Sequence, residues 1–249
     1  MIGITEDIEK IDYISEFEDM NRPLLVKNYA SKWEAFKKWN LDFFKKQYGE
    51  YTVDASYNNQ FYELSLKEYI SYITEIPADQ RAMPELYLNW KFQYEASELS
   101  NDYNEPHFIT NLFNQKFFSS KIQKQYSWIY VGPKGSGSPL HIDIDNTHGW
   151  NALLSGEKEW IFLSPDESEK IIEAKKRFPN LDLFDETILS MFPKFNYERV
   201  VQEEGDLLII PSCWWHQVIN NDLTIALTEN YVNKHNILDF IERFELEKI

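Results

Sequence analysis

From Tyr126 onward the chain breaks into short β-rich runs, and this feature most limits what it can fold into. YSWIYVG (126–132), SPLHIDI (138–144), WNALLS (150–155), KEWIFLS (158–164), DLLIIP (206–211), HQVIN (216–220) and LTIALTENYV (223–232) follow one another. Turn signals such as Pro133-Lys134-Gly135, Ser155-Gly156 and Asn220-Asn221-Asp222 separate them. Strands this short and this frequent predict an antiparallel sandwich or barrel. The fold class expected is therefore mainly β with helical additions. One insert interrupts the run at 165–200: Pro165 to Arg177 has helical character, and Phe178 to Glu198 reads as irregular. Lying between strands of the β-rich half, it is expected at the mouth of a pocket.

The first 125 residues differ. RPLLVKNY (22–29) reads as a short strand led by Pro23, Ser31 to Tyr48 as helix with a restart at Leu41-Asp42 and a stop at Gly49, and Leu66 to Ile76 as a further helix. A last helix is expected over 233–249, with Ile237, Leu238, Ile241, Phe244 and Leu246 on one apolar face. That face could serve its own domain or a homodimer. With no repeat, low-complexity tract or linker, residues 1–249 read as one domain: a helix-rich support (1–125), a β core (126–232) and the terminal helix.

Within the β-rich half, His141 and Asp143 stand two residues apart on a predicted strand, so both face one side. His216 follows 73 residues after Asp143. Two imidazoles and a carboxylate on one face of a metal, with the other positions open, suit a non-haem Fe(II) oxygenase. A lone HxD recurs by chance, so its surroundings decide. Lys158 opens the strand KEWIFL, where its ammonium could meet the distal carboxylate of a diacid. On the last strand Thr224, Ala226, Thr228 and Asn230 share one parity, and Ile225, Leu227 and Tyr231 the other, with Glu229 as the exception. A polar inward face suits a ligand, and a solvated outer face explains the same pattern. Cys213 reads as a small buried side chain; His107, His148 and His235 lack a partner pattern.

Composition narrows the function classes. Lys and Arg number 25 against 41 Asp and Glu, a net charge of −16. Such a surface repels a phosphate backbone and attracts a basic protein segment, although it also serves plain solubility. One cysteine excludes an internal disulfide framework. The acidic start MIGITEDIEKIDYISEF is no signal peptide, and no apolar run is long enough to span a bilayer. The expectation is a soluble intracellular protein.

The stretches GPKGSGSPLHIDIDNTHGWNALLSGEKEWIFLSP and GDLLIIPSCWWHQVINNDLTIALTENYV closely resemble the Jumonji-C hydroxylases, nearest to the group containing the lysyl hydroxylase formerly called the phosphatidylserine receptor. RPLLVKNYASKWEAFKKWNLDFFKKQYGE resembles the family's N-terminal region, so the likeness runs from Arg22 to Val232. It implies a double-stranded β-helix (a jelly roll, cupin-like) with Fe(II) held by His141, Asp143 and His216. It further implies that Lys158 and Thr228 bind the distal carboxylate of the co-substrate 2-oxoglutarate. Asn151, Asn230, Tyr87 (in PELYLNW) and Ser138 match positions lining the same pocket. The implied reaction uses O₂ and hydroxylates a C–H bond, foremost on a protein side chain such as lysine. Three alternatives remain: an N-methyl demethylase, a hydroxylase of a small molecule or RNA nucleoside (with Lys116, Lys121 and Lys124 as the one basic cluster), and a non-catalytic binding barrel.

Overall fold

The computed structural model describes residues 1–115, 118, 120–191 and 195–246; for 120, 121, 123 and 244–246 it describes the backbone alone. Among them thirteen strands form two sheets: β1 (Gly3–Thr5), β2 (Leu24–Val26), β3 (Thr52–Tyr57), β4 (Gln60–Ser65), β5 (Tyr87–Trp90), β6 (Ser127–Gly132), β7 (Gly137–His141), β8 (His148–Ser155), β9 (Glu157–Leu163), β10 (Tyr197–Glu203), β11 (Leu207–Ile210), β12 (Trp215–Asn220) and β13 (Thr224–Tyr231). The major sheet runs β1-β2-β11-β8-β13-β6-β5-β3-β4 and the minor sheet β10-β9-β12-β7. All pairings are antiparallel except β1 with β2. The two sheets face each other, as expected of a jelly roll.

The described residues also form seven α-helices: α1 (Glu34–Lys38), α2 (Leu41–Tyr48), α3 (Leu66–Glu75), α4 (Ser120–Gln125), α5 (Ser168–Arg177), α6 (Glu186–Ser190) and α7 (Ile237–Leu246). Local chemistry starts them. Asn40 caps α2 by accepting from the Phe43 N–H, and Ser65 with Glu68 forms a reciprocal capping box on α3. α3 then buries Leu66, Tyr69, Ile70 and Ile73, spaced as one helical face requires. The N-terminal helices pack on the outer face of the major sheet, with Trp33, Trp39, Phe44, Trp90, Trp150, Leu227 and Tyr231 in one large core. Between the sheets a smaller core gathers Leu25, Trp160, Phe162, Leu208, Trp214 and Val218.

Four expectations need correction. Strand β7 ends at His141; Asp143 follows with extended backbone (φ −61°, ψ 148°) and leads a 3-10 turn over Ile144–Asn146. Residues 178–198 are not wholly irregular: they hold α6 and the start of β10, so the insert overruns its true end at Tyr197. β10 alternates buried Val200 and Gln202 with exposed neighbours, a period-2 signal weakened by its charges. The insert borders the pocket only in part: its Lys175, Asn180, Asp182 and Phe184 line a groove beside it. Its Ile171, Ala174, Leu181, Leu183 and Phe195 cover Leu140, Ile161 and Leu163 on the outer face of the minor sheet. Finally, α7 turns in not Leu238 and Ile241, which are 78% and 37% exposed, but Phe240, wholly buried against Phe113 and Tyr126. The side chains of Phe244 and Leu246 lie outside the described residues, as do Lys116 and the Lys121 side chain; Lys124 lies in the last turn of α4.

Candidate metal centre and co-substrate pocket

The site forms where the two sheets meet. His216 lies on β12, opposite Phe162 of β9 on one side and His141 of β7 on the other. A register shift between His216 and Val218 inserts one extra residue in β7, so that His141 and Ser138 both line the same cavity. Asp143 swings in from the turn after β7. Its Oδ1 stands 3.9 Å from His141 Nε2 and 3.7 Å from His216 Nε2. The ligand atoms of all three lie within 4.8 Å of one another.

The two rings are oriented for ligation. His141 Nδ1 lies 2.7 Å from the Pro139 carbonyl, and His216 Nδ1 lies 3.0 Å from the Trp214 carbonyl. A carbonyl only accepts, so each Nδ1 carries the proton and each Nε2 presents its lone pair to the centre. Burial pushes the His216 pKa down to about 4, and burial with the neighbouring His216 lowers His141, whose side chain is 39% exposed at the rim. Both rings are therefore neutral near pH 7. Burial pushes the Asp143 carboxyl the other way, upward. Its Oδ2 is buried without a hydrogen-bond partner. A divalent cation would meet that orphaned oxygen and both lone pairs at once, so the donor set fits a metal. Gly149 makes room for it: a Cβ there would stand 2.8 Å from Asp143 Oδ2.

Deeper in the same cavity lies a cation with no charge partner. Lys158 on β9 is wholly buried, and its Nζ donates to Asn220 Oδ1 (2.7 Å) and Tyr87 Oη (3.1 Å). No charged partner among the described residues acts on it, and burial alone lowers its pKa to about 7. A buried ammonium held only by neutral groups is a ready receptor for an anion. Asn151 donates to Thr228 Oγ1 (2.7 Å), leaving Asn151 Oδ1 buried and unpaired. Asn230 donates to Thr147 Oγ1 (2.7 Å) and lies beside Asp143 over Gly149.

The structure thus brings all nine expected residues (His141, Asp143, His216, Lys158, Thr228, Asn151, Asn230, Tyr87 and Ser138) to the lining of one cavity of about 290 Å³. A larger groove of about 560 Å³ outside edge strand β7 shares Tyr87, Ser138 and Val218 with it but holds none of the three metal donors. The chemistry therefore belongs to the smaller cavity. Sequence reasoning missed several lining or supporting groups. Asn220 read only as a turn residue, yet it joins Lys158 to Ser136 through a 2.8 Å bond. Tyr130 stacks on Tyr87 at 5.4 Å, and Asn89 of β5 and Lys91 just after it continue the lining. Their two-residue spacing from Tyr87 was the available signal.

The family described as the cupin-like domain matches residues 11–237. The chain belongs to that family. This cupin-like chain is 30% identical over 242 residues to the arginine-specific demethylase JMJ22 of Arabidopsis thaliana, covering 93% of itself and 46% of the relative. It is 27% identical over 266 residues to the 2-oxoglutarate and iron-dependent oxygenase JMJD4 of Gallus gallus (95% and 61%). To the bifunctional arginine demethylase and lysyl-hydroxylase psr-1 of Caenorhabditis elegans it is 27% identical over 244 residues (91% and 59%). The chain spans about half to three fifths of the length of these relatives. They bear out the resemblance to the Jumonji-C enzymes. No described helix is long and apolar enough to cross a membrane.

Proposed function

We propose that this cupin-like chain is an Fe(II)- and 2-oxoglutarate-dependent oxygenase that hydroxylates a C–H bond on a protein side chain, with lysine the first candidate. One observation carries the reading: a buried ammonium without an ionic partner among the described residues and a three-donor metal face share one small cavity. His141, Asp143 and His216 would hold the metal. Lys158, with Tyr87 and Thr228, would receive the distal carboxylate of 2-oxoglutarate, and Asn151 and Asn230 would line its flank. With both bound, Fe(II) and 2-oxoglutarate supply O₂ activation coupled to decarboxylation, yielding succinate and CO₂ and delivering one oxygen atom to the substrate carbon. The protein's part is to orient both donors, keep Nε2 of each ring deprotonated, and exclude water with Trp160, Ile210 and Val218.

Relatives named as oxygenase, lysyl-hydroxylase and arginine demethylase support a protein substrate. The net charge of −16 favours a basic one. Demethylation is the second reading, favoured by the 30% identity to an arginine-specific demethylase. The same hydroxylation on an N-methyl carbon would release formaldehyde. A homodimer would use the exposed Leu238 and Ile241 of α7; light scattering showing a monomer for the unaltered chain would end that idea.

The test is an anaerobic titration of Fe(II) and 2-oxoglutarate, following the visible metal-to-ligand charge-transfer band, with His216→Ala and Lys158→Ala alongside. A band in the unaltered protein that both variants lose or weaken is the expected result. No band from folded protein overturns the reading. Peptide products then separate the outcomes: a gain of one oxygen atom means hydroxylase, and methyl loss with formaldehyde means demethylase.

A further inference from the structure

The carboxylate at the centre sits on an improbable piece of backbone. Directly after Asp143, both Asp145 (φ 54°) and Asn146 (φ 51°) are left-handed, and neither is glycine. Two such residues in succession persist only where surrounding contacts over-determine them. The contacts come mostly from one place. The Asn146 main-chain carbonyl accepts from Asn236 Nδ2 (2.9 Å) and from Ser212 Oγ (2.6 Å). With the Asn146 amide turned so that its Oδ1 faces the guanidinium, that oxygen accepts from both Nε and Nη2 of Arg243, each at 3.0 Å. Asn236 precedes α7 and Arg243 lies in its last turn. Asn236 is itself fixed, being 3% exposed and accepting from the Asn233 N–H at 2.8 Å. Tyr126, packed on Phe240 of α7, donates to Asp145 Oδ2 (2.5 Å).

We propose that α7 and the strap before it are a positioning device for the metal centre: Asn236 and Arg243 hold the left-handed turn 145–146, and the turn aims the Asp143 carboxylate between His141 and His216. Neither residue touches the metal face. They act through Asn146, three residues from Asp143. The inference rests on the metal reading given above. It also gives the inward side of the C-terminal helix an intramolecular task.

The experiment titrates the metal-free full chain with Co(II) alone, recording its visible spectrum and affinity. The variants are Asn236→Ala, Arg243→Ala, Arg243→Lys and Asn146→Gly, with Leu238→Ala as a control on the exposed side of the same helix. Loss of a group that orients a ligand typically weakens metal binding about 10- to 100-fold. We expect at least about tenfold weaker Co(II) binding in Asn236→Ala and Arg243→Ala, with an altered cobalt spectrum and a little-changed melting temperature of the metal-free protein. Arg243→Lys, keeping one donor, should recover part of the affinity, and Leu238→Ala should match the unaltered chain. Asn146→Gly suits the left-handed backbone and folds readily, yet it removes the Oδ1 that Arg243 grips, so it too should bind more weakly. Unchanged Co(II) affinity in Arg243→Ala and Asn146→Gly overturns the positioning role. If the unaltered chain binds no Co(II), or His216→Ala binds it equally well, the metal reading itself falls and this one with it.

Discussion

Replacing Lys158 with Met should make the ligand-free protein more stable near neutral pH while abolishing its response to 2-oxoglutarate. Lys158 is wholly buried, and burial lowers its pKa from 10.5 to about 7. Each pH unit of that gap is worth about 1.4 kcal/mol, so holding the protonated lysine in the fold costs roughly 5 kcal/mol. Methionine matches its length and apolar stem but leaves Asn220 Oδ1 without its 2.7 Å donor, a loss of about 1–3 kcal/mol. The net gain at pH 7 is about 2–4 kcal/mol. Its sign follows from proton binding. Between about pH 7 and 10.5 the unfolded chain holds this proton and the folded chain releases it, so the unaltered protein gains stability as pH rises through that window. The advantage of Lys158→Met should therefore shrink with rising pH and reverse before about 10.5, where only the lost Asn220 contact remains. Urea denaturation of metal-free protein at about pH 7, 8.5 and 10 measures it. Saturating 2-oxoglutarate should raise the midpoint of the unaltered chain, by about 2.7 kcal/mol at a hundredfold excess over Kd, and leave the variant unmoved. A variant less stable at neutral pH, by an amount that does not change with pH, would refute the argument: Lys158 would then be charged with its ordinary pKa, ionically paired in the ligand-free fold.

Two further outcomes follow from the same packing. Gly149→Ala puts a Cβ 2.8 Å from Asp143 Oδ2, so metal affinity measured by Co(II) titration should fall at least about tenfold, while overpacking costs only about 1–3 kcal/mol; affinity equal to that of the unaltered chain would show that the carboxylate can shift freely. Glu229, half-buried on the opposite face of β13, accepts from Tyr103, Ser127 and Gln93, yet desolvation raises its pKa from 4.5 to about 7. The folded state thus holds its proton more tightly, and stability falls as pH rises through 4.5 to 7. Glu229→Gln should accordingly be more stable by about 1–2 kcal/mol at alkaline pH, allowing for the polar cavity beside it, with no difference in acid. A variant less stable at high pH would mean that the carboxylate is ionised and well paired.

Much of this molecule was legible along the chain. Alternation and turn residues located most strands after Tyr126, because side chains on a strand point to opposite faces and only one face meets the core. The parity of Thr228 and Asn230 against Leu227 and Tyr231 has that origin: the first pair lines the cavity and the second enters the large aromatic core. The metal donors and Lys158 were also marked by residue type and motif. Charged β10 escaped notice because its pattern is diluted, and the role of Asn220 escaped because a turn asparagine looks the same whether or not a lysine reaches it.

What the tertiary structure alone decided is how distant groups meet. No local rule says that the 165–200 insert covers the outer face of the minor sheet, that Phe240 rather than Leu238 turns inward, or that Asn236 and Arg243 reach the turn carrying Asp143. Periodicity reports which residues of one element share a face. It cannot report which other element fills that face, since burial and hydrogen bonding are settled by the whole chain competing for the same surfaces.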